Sequence, residues 1–515
     1  KVVLTTNIAE TSITVDDVEF VIDTGRVKES AYDKRKRMAT LQEVWVSSEN
    51  TRQRCGRAGR VREGHAFMLY TKHRALRVMK QHRVPEIQRL PLEEIVLQLK
   101  ACAALQERFA SGAGVASILA SAVQPPAQAG VDSALANLIE MGAIRDGADE
   151  VLTPLGHHLA GLPVDARLGK MILFGAVFKC LDPVLCIAAS LSYKSPLVQP
   201  FGLREQARAS HDRFWRVHRS DHLAIWEAYR EWDHICREQG GHAASRWCDR
   251  FYVSSQSMRM IAEMMRSFRQ LLVSSGFVPR GDVVGGRARD ASRPGVPSGR
   301  ANDANRNASN MGLVRAVLCA GLYPNVVHVE YGVGGRGVGR ARLLERTGEV
   351  LIHPASSSHR RDVFESDWLV YHDKVKTSRV FIRDCSAIPL SAMLLFALHV
   401  EIQHAQRIVI IDRWVRIEAN PRNAVLFKTL RTQLNSLLEA KMRERHRSRR
   451  DRARRNRVQE ADDADADVAT WLENHIGEDA ETEDVQATNE DVIIQNIASL
   501  LAEPVDPAAP SNNPV

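Results

Sequence analysis

No stretch of this sequence reaches the roughly 18 consecutive apolar residues that would cross a bilayer as a helix, so no membrane span is expected. No signal peptide opens it. Its eight cysteines form no Cys-X-X-Cys pair and no Cys/His zinc spacing. That argues against a metal centre and makes a reducing intracellular compartment the expectation. No GxxxxGK[ST] phosphate loop occurs anywhere. Past Arg457 there is not one Lys or Arg. The first residue is Lys1, inside what reads as a strand (VVLTT), so the sequence is expected to be part of a longer chain.

What is present is ordinary in bulk and uneven in distribution. The 515 residues are 44% hydrophobic and 26% charged, which suits a globular chain of about three to five domains. All 70 Lys and Arg precede residue 458, against 47 of the 62 acidic residues, so residues 1–457 carry a net +23. A body this basic points to a polyanionic partner, most often nucleic acid. General solubility is the competing explanation.

Read along the chain, the texture changes several times. "VEFVIDT" (18–24) is expected to be a short buried strand ending in a carboxylate, and "AFMLY" (66–70) another. Between them, alternation near Leu41, Val44 and Val46 predicts a hairpin. Pro91 should open a helix with Glu93 and Glu94 in its first turn. A second helix is expected from about Ser133 to Met141, capped by Gly142, with an Asp-Gly hairpin after it. Residues 163–275 read as helical, with Leu168, Met171, Ile172 and Gly175 on one face. Residues 280–310 have almost nothing to bury and are expected to be disordered. Short apolar strands expected at 313–331, 349–353, 367–372 and 379–384 suit a small barrel, with the Arg-bearing loop "GVGGRGVGR" (332–340) between strands. A basic block (441–457), an acidic block (460–484) and the apolar "VIIQNIASLL" (492–501) close the sequence. The basic block suits a nuclear import signal, an RNA contact or a solvated helix equally well.

The stretch "ENTRQRCGRAGR" (49–60) carries the most chemistry. Gly56 and Gly59 break its basic run, so a glycine turn rather than a helix face is expected. Arginine forks match phosphate oxygens and stay charged at physiological pH. Two of them three residues apart can reach neighbouring phosphates of one nucleotide and stabilise charge that develops in phosphoryl transfer. A surface RNA-contacting loop is the alternative. His157 and His158 follow a proline turn and read as structural, not as metal ligands. Trp215, Trp226, Trp232 and Trp247 could stack bases, but their helical setting favours core packing.

Upstream stands "TTNIAETSITVDDVEFVIDTG" (5–25). Together the two stretches closely resemble motifs V and VI of the DEAH-box RNA helicases of superfamily two. The resemblance continues through "LPLEEIVLQLKA", "LTPLGHHLAGLPVDARLGKMILFG", "RSDHLAIWEAYREW", "VRAVLCAGLYPNV" and "WLVYHDKVKTSRVFIRDCS" to about residue 420. The later segments are most similar to the DExH branch that includes G-quadruplex-resolving helicases.

The resemblance implies a multidomain α/β plus α plus β chain. Residues 1–88 would be the end of the second RecA-like domain, 89–160 a winged helix, 161–279 a helical ratchet bundle and 311–420 an OB-fold barrel. Residues 421–515 would be a helix and a charged, disordered C-terminal tail. It also implies ATP with Mg2+ as cofactor, single-stranded or structured RNA as partner, and residence in cytoplasm or nucleus. G-quadruplex nucleic acid and a protein activator are candidate partners. By position, Thr6 and Asn7 match RNA-backbone contacts, Ser12 a sensor of nucleotide state and Asp16 a nucleotide-pocket carboxylate. Gln53, Arg57 and Arg60 match the residues that face the γ-phosphate and the attacking water. The DExH quartet and the Ser-Ala-Thr motif are absent, like the phosphate loop, so the sequence carries half of an ATP site, with the magnesium ligands expected in a preceding segment. A non-catalytic RNA-binding scaffold is the rival from another class.

Overall fold

The computed structural model describes residues 2–10, 17–33, 38–58, 63–147, 149–279, 303–331, 341–359, 361, 363–377, 379–418, 420–462 and 480–502. The chain forms two compact units. One comprises residues 1–92, 113–134 and 374–380, the other 93–112, 135–373 and 381–515.

In the first unit β1 (Phe20–Asp23) is followed by β2 (Arg26–Asp33) and β3 (Met38–Trp45), which pair as the expected antiparallel hairpin. Helix α1 (Ser48–Cys55) leads to β4 (His65–Met68), parallel to β1 with Phe20 opposite His65 and Asp23 opposite Met68. The two strands lie where the sequence puts them but are not buried. Phe20, Ile22 and Phe67 are 60%, 68% and 53% exposed. Parallel strands are normally covered on both faces, so this pair shows an apolar surface that its own unit does not cover.

Helices α2 (Lys72–Arg77) and α3 (Glu86–Arg89) follow. Next, α4 (Glu93–Ala101) and α5 (Gln106–Ala110) belong to the second unit, α6 (Val115–Ala120) and the first half of α7 (Gln128–Glu140) to the first. Glu93 and Glu94 do open α4, and α7 ends at Gly142 with φ +78°, a left-handed stop that glycine adopts without strain. Ile144 bridges Leu152 across a short wing. Lys100 of α4 is buried under that wing, on Glu150 at 3.3 Å and the Asp149 carbonyl at 3.2 Å. Helix α8 (Pro154–Leu159) is capped by the Thr153 hydroxyl. His158 is structural, as its proline-turn setting predicts: its Nε2 lies 3.0 Å from the Met442 carbonyl and its ring meets Phe277 edge-on.

The ratchet bundle runs through α9 (Ala166–Val177), α10 (Leu181–Ser192), α11 (Arg204–His218), α12 (Asp221–Glu238), α13 (Gly240–Arg250) and α14 (Ser255–Ser274). Trp215, Trp232 and Trp247 are buried in one cluster with Phe214 and Met258, so core packing wins for those three. Trp226 is half-buried and stacks on Tyr229.

Two expectations about the middle of the chain need correction. The disordered stretch expected at 280–310 does not extend to its end. Residues 280–302 lie outside the described ones, but 303–310 fold onto the bundle, with Asn307 buried and donating to the Phe178 carbonyl at 3.0 Å. Of residues 313–331, expected as strand from their apolar run, 313–322 belong instead to helix α15 (Met311–Leu322). Every residue from Leu313 to Leu322 is buried. A helix buried all round has no amphipathic period to distinguish it from a strand.

The barrel contains β5 (Val326–Glu330), β6 (Arg342–Glu345), β7 (Gly348–Ile352), β8 (Trp368–Lys376) and β9 (Val380–Ala387). Their order is β8-β5-β6-β7-β9, and a β8–β9 pairing closes it. Residues 332–340, the expected Arg-bearing loop, lie outside the described ones. Helix α16 (Leu390–Phe396) precedes a three-stranded antiparallel sheet of β10 (Val400–Gln403), β11 (Ile408–Ile411) and β12 (Val415–Glu418).

The expected disordered tail contains more structure than its charge suggests. After α17 (Pro421–Asp462), α18 (Ala480–Ala502) packs on α15 and buries Ile494, Ile497, Ala498 and Leu501. Asn310 Nδ2 donates to the Ala498 carbonyl at 2.8 Å, and Lys179 pairs with Asp491 at 3.0 Å. A Cβ on Gly312 would sit 1.9 Å from the Leu501 carbonyl, so the seat needs glycine there. All eight cysteines are free. Among the described residues no helix is long and apolar enough to cross a membrane, and no cluster of metal ligands occurs.

The bundle and the barrel meet at Asp221, the first residue of α12. Its carboxylate accepts from Ser358 N at 2.9 Å, Ser358 Oγ at 2.8 Å and Cys385 N at 2.9 Å, and from Ser356 Oγ. Nearby, burial first and then the Asp221 and Asp373 carboxylates push Asp384 up to about 7, against the pull of Arg383. A carboxyl raised in the fold contributes stability that is complete below its unfolded pKa, near 4, and is lost as pH rises toward 7. Asp384 also sits at φ +54°, which asparagine tolerates. Asp384→Asn should therefore stabilise the chain at pH 8 by about 1–3 kcal/mol. The gain should vanish near pH 4. Urea midpoints of both proteins across that range check it, and a pH-independent difference would refute the assignment.

Candidate active site

The site is built on α1 and on the short 3-10 turn Asn7–Glu10, both in the first unit. Ser47 starts α1 because its hydroxyl accepts from Asn50 N at 3.1 Å. The helix continues to Cys55, so Arg52, Gln53 and Arg54 are helical, contrary to the expected glycine turn. Gly56 caps the helix at φ −62°, a conformation open to any residue. The glycine required by close approach is Gly64, where a Cβ would lie 2.1 Å from the Ala58 carbonyl.

Asn50 and Arg54 are four residues apart and share one face of α1. That face meets Glu10. Arg54 Nε and Nη2 lie 2.7 and 2.6 Å from Glu10 Oε1, and Asn50 Nδ2 is 2.8 Å from Oε2. Arg54 Nη1 reaches Asp23 Oδ1 at 2.7 Å, where Gly25 N also donates at 2.9 Å. Burial disfavours the Arg54 charge, but the hydrogen bonds to Asp23 and Glu10 outweigh it and raise its pKa further. Burial, then Asp23, pushes up the Cys55 thiol, which suits a neutral filler.

Arg57 follows the cap. Its Nη2 donates to the Glu10 carbonyl, while Nε and Nη1 are buried and have no acceptor among the described residues. Two buried guanidinium donors without partners fit an anionic oxygen such as that of a phosphate. Gln53 is exposed on the last turn of α1, and Thr6 and Asn7 are exposed where the 3-10 turn begins. Thus Thr6, Asn7, Gln53 and Arg57 all belong to the segments that Glu10 joins. Ser12, Asp16 and Arg60 lie outside the described residues. Glu10, Asn50 and Asp23 have no role in the sequence-derived site. Only the Asn50–Arg54 spacing and the carboxylate ending "VIDT" hint at them.

Four family models match the chain in order. They are the winged-helix helicase-associated domain (134–164), its ratchet-like partner (165–225), an oligonucleotide/oligosaccharide-binding fold (314–400) and the C-terminal domain in RNA helicases (407–448). The chain is 39% identical over 466 residues to the putative ATP-dependent RNA helicase DHX57 of Homo sapiens, covering 86% of this chain and 33% of that protein. It is 38% identical over 448 residues to the ATP-dependent DNA/RNA helicase DHX36 of Mus musculus, covering 87% and 42%. This chain belongs to the DEAH/DExH-box helicases. A third member of that family, the ATP-dependent RNA helicase DHX29 of Homo sapiens, is 36% identical over 446 residues, 86% of this chain and 31% of the relative. The chain thus spans well under half the length of these curated relatives. The matches to winged helix, ratchet and OB fold fall on the chain in the order of the architecture described above.

Proposed function

We propose that the chain is part of an ATP-dependent RNA helicase that moves along single-stranded RNA and remodels RNA structure. The observation that carries this is Arg57, two of whose buried donors have no partner among the described residues and which stands beside the turn that bears Thr6 and Asn7. The uncovered apolar pair β1–β4 supports it too, since further strands and helices of a RecA-like sheet would cover Phe20, Ile22 and Phe67.

Bound ATP with Mg2+ would supply the phosphoanhydride bond whose cleavage drives movement. Arg57 would direct Nε and Nη1 to phosphate oxygens and offset the charge they gain in the transition state. Arg60 would act beside it, and Gln53, on the exposed end of α1, would orient the attacking water. Ser12 would sense nucleotide state and Asp16 would hold the ribose side. Thr6 and Asn7 would hold the RNA backbone. The net +23 of residues 1–457 would add phosphate contacts along the strand. Structured RNA or G-quadruplex nucleic acid as substrate, a protein activator, and residence in cytoplasm or nucleus remain within this reading.

The chain alone is expected to bind single-stranded RNA and to show no RNA-stimulated ATP hydrolysis. If about 6–10 phosphates are neutralised, affinity should fall roughly 10³–10⁵-fold between 50 and 200 mM salt. Fluorescence anisotropy with a labelled oligonucleotide and a phosphate-release assay read both. Absence of RNA binding at 50 mM salt would overturn the RNA-motor reading, and robust turnover by the chain alone would overturn the division of the site. The gene sequence preceding Lys1 separates enzyme from scaffold: a phosphate loop and DExH quartet there favour the enzyme.

A further inference from the structure

We infer that Glu10 and Arg54 are positioning residues that set how strongly RNA stimulates hydrolysis. This rests on the reading above of Arg57 as an arginine finger and of Thr6 and Asn7 as strand contacts.

Glu10 ends the 3-10 turn three residues after Asn7 and is 8% exposed. Its two ends hold different partners. The carboxylate takes Arg54 through two nitrogens and Asn50 through a third contact, whereas the carbonyl takes Arg57. One residue thus joins the proposed RNA-contacting turn to both arginines. The turn is closed on itself, since Ala9 N donates to the Thr6 carbonyl at 3.3 Å across it.

The two arginines divide the work. Arg54 uses Nε and Nη2 on Glu10, and Nη1 on Asp23 and on the Arg26 carbonyl at 3.4 Å. Four of its five N–H groups are committed to protein, which leaves at most one, on Nη2, for phosphate. Among the described residues Arg57 keeps two nitrogens, Nε and Nη1, uncommitted. Arg54 therefore serves as the strut and Arg57 as the reactive fork. A strand seated on Thr6 and Asn7 fixes the turn, the turn fixes Glu10, and the Glu10 carbonyl fixes the Arg57 head. Without the strut the turn can shift while α1 stays in place, and Arg57 loses its register. Misplacement of a reacting group by about 1 Å can cost up to ~10²-fold in rate.

The test uses the protein that carries the segment preceding Lys1 in its gene, with ATP turnover measured without RNA and at saturating RNA. Glu10→Gln and Arg54→Gln should each lower the ratio of the two rates about 10- to 100-fold. Each should also lower the denaturation midpoint: Arg54→Gln leaves the buried Glu10 and Asp23 carboxylates without their cation, and Glu10→Gln leaves Arg54 with Asp23 as its one carboxylate among the described residues. The double variant Glu10→Gln/Arg54→Gln removes both charges, and Asp23 keeps its bond from Gly25 N. Its midpoint should recover only in part, because Asp23 still loses its Arg54 partner, while the RNA stimulation stays lost. Stimulation that returns in the double variant would make the pair merely structural and overturn the inference, as would parental stimulation in either single variant. Arg57→Ala run alongside separates the layers: near-normal kcat there would overturn the finger assignment itself, whereas a normal loss there with full stimulation in the double variant would overturn the strut alone.

Discussion

Arg57→Ala, in the protein that carries the preceding segment, is expected to lower kcat at saturating RNA by roughly 10³–10⁵, the usual worth of an arginine finger. That is about 4–7 kcal/mol of barrier. Charge grows on the phosphoryl oxygens during transfer, and a planar fork aimed there acts mainly on the transition state. The fold should survive, because among the described residues the one hydrogen bond that Arg57 makes is to the Glu10 carbonyl. Losing a side chain with two unpartnered buried nitrogens removes a cost along with that bond. Arg57→Lys should rescue little, since an ammonium is a point charge without the fork. RNA affinity without nucleotide should stay near the parental value. If Arg57 contacts RNA phosphate instead, affinity falls, the salt slope drops by about one unit, and kcat recovers at saturating RNA. Turnover and the RNA Kd, measured on one preparation, decide between the two.

Asp221→Ala should destabilise the second unit by about 3–5 kcal/mol. Four donors converge on this carboxylate: Ser358 N and Oγ, Cys385 N and Ser356 Oγ. Alanine leaves the Cys385 N–H and two hydroxyls without this acceptor in a buried junction, and leaves Ser358 N with only Ser356 Oγ at 3.1 Å. Burial raises the Asp221 pKa, while the bonds from Cys385 N and the two serines pull it back. Asp221→Asn tests the ionisation state. An amide must turn an N–H toward Ser358 N or Cys385 N, so it should cost nearly as much as alanine if the carboxylate is charged. A near-neutral asparagine variant would mean that the group is already protonated. Denaturation midpoints of the three proteins at pH 7 measure this.

Local chemistry was legible in the sequence where one residue type has one use. Glycine at 142 stops a helix in a left-handed turn, and alternation near Leu41 and Val44 makes a hairpin. Three of the four helical tryptophans pack in the core, as helix periodicity implies. The architecture followed from motif resemblance rather than from periodicity. Three features were not legible, each for a different reason. Helix α15 is buried on all sides, so it has no period. The run Arg52–Arg54 lies on a helix because a serine cap five residues before Arg52 starts it, and glycine spacing is silent about that. The Glu10 hub joins residues 40 and 44 positions apart, Asn50 and Arg54, beyond the reach of any local pattern. Ser12, Asp16 and Arg60 fall outside the described residues, so their placement rests on resemblance.

The seat of α18 also has a consequence in time. Asn310 and Ala498 are 188 residues apart along the chain. At ribosomal speeds of about 5–20 residues per second, α15 emerges roughly 10–40 seconds before the helix that covers it. Throughout that interval α15 lacks the helix that packs on it at Gly312. A nascent chain halted before residue 491 therefore lacks Ile494, Ile497, Ala498 and Leu501, the residues that α18 buries.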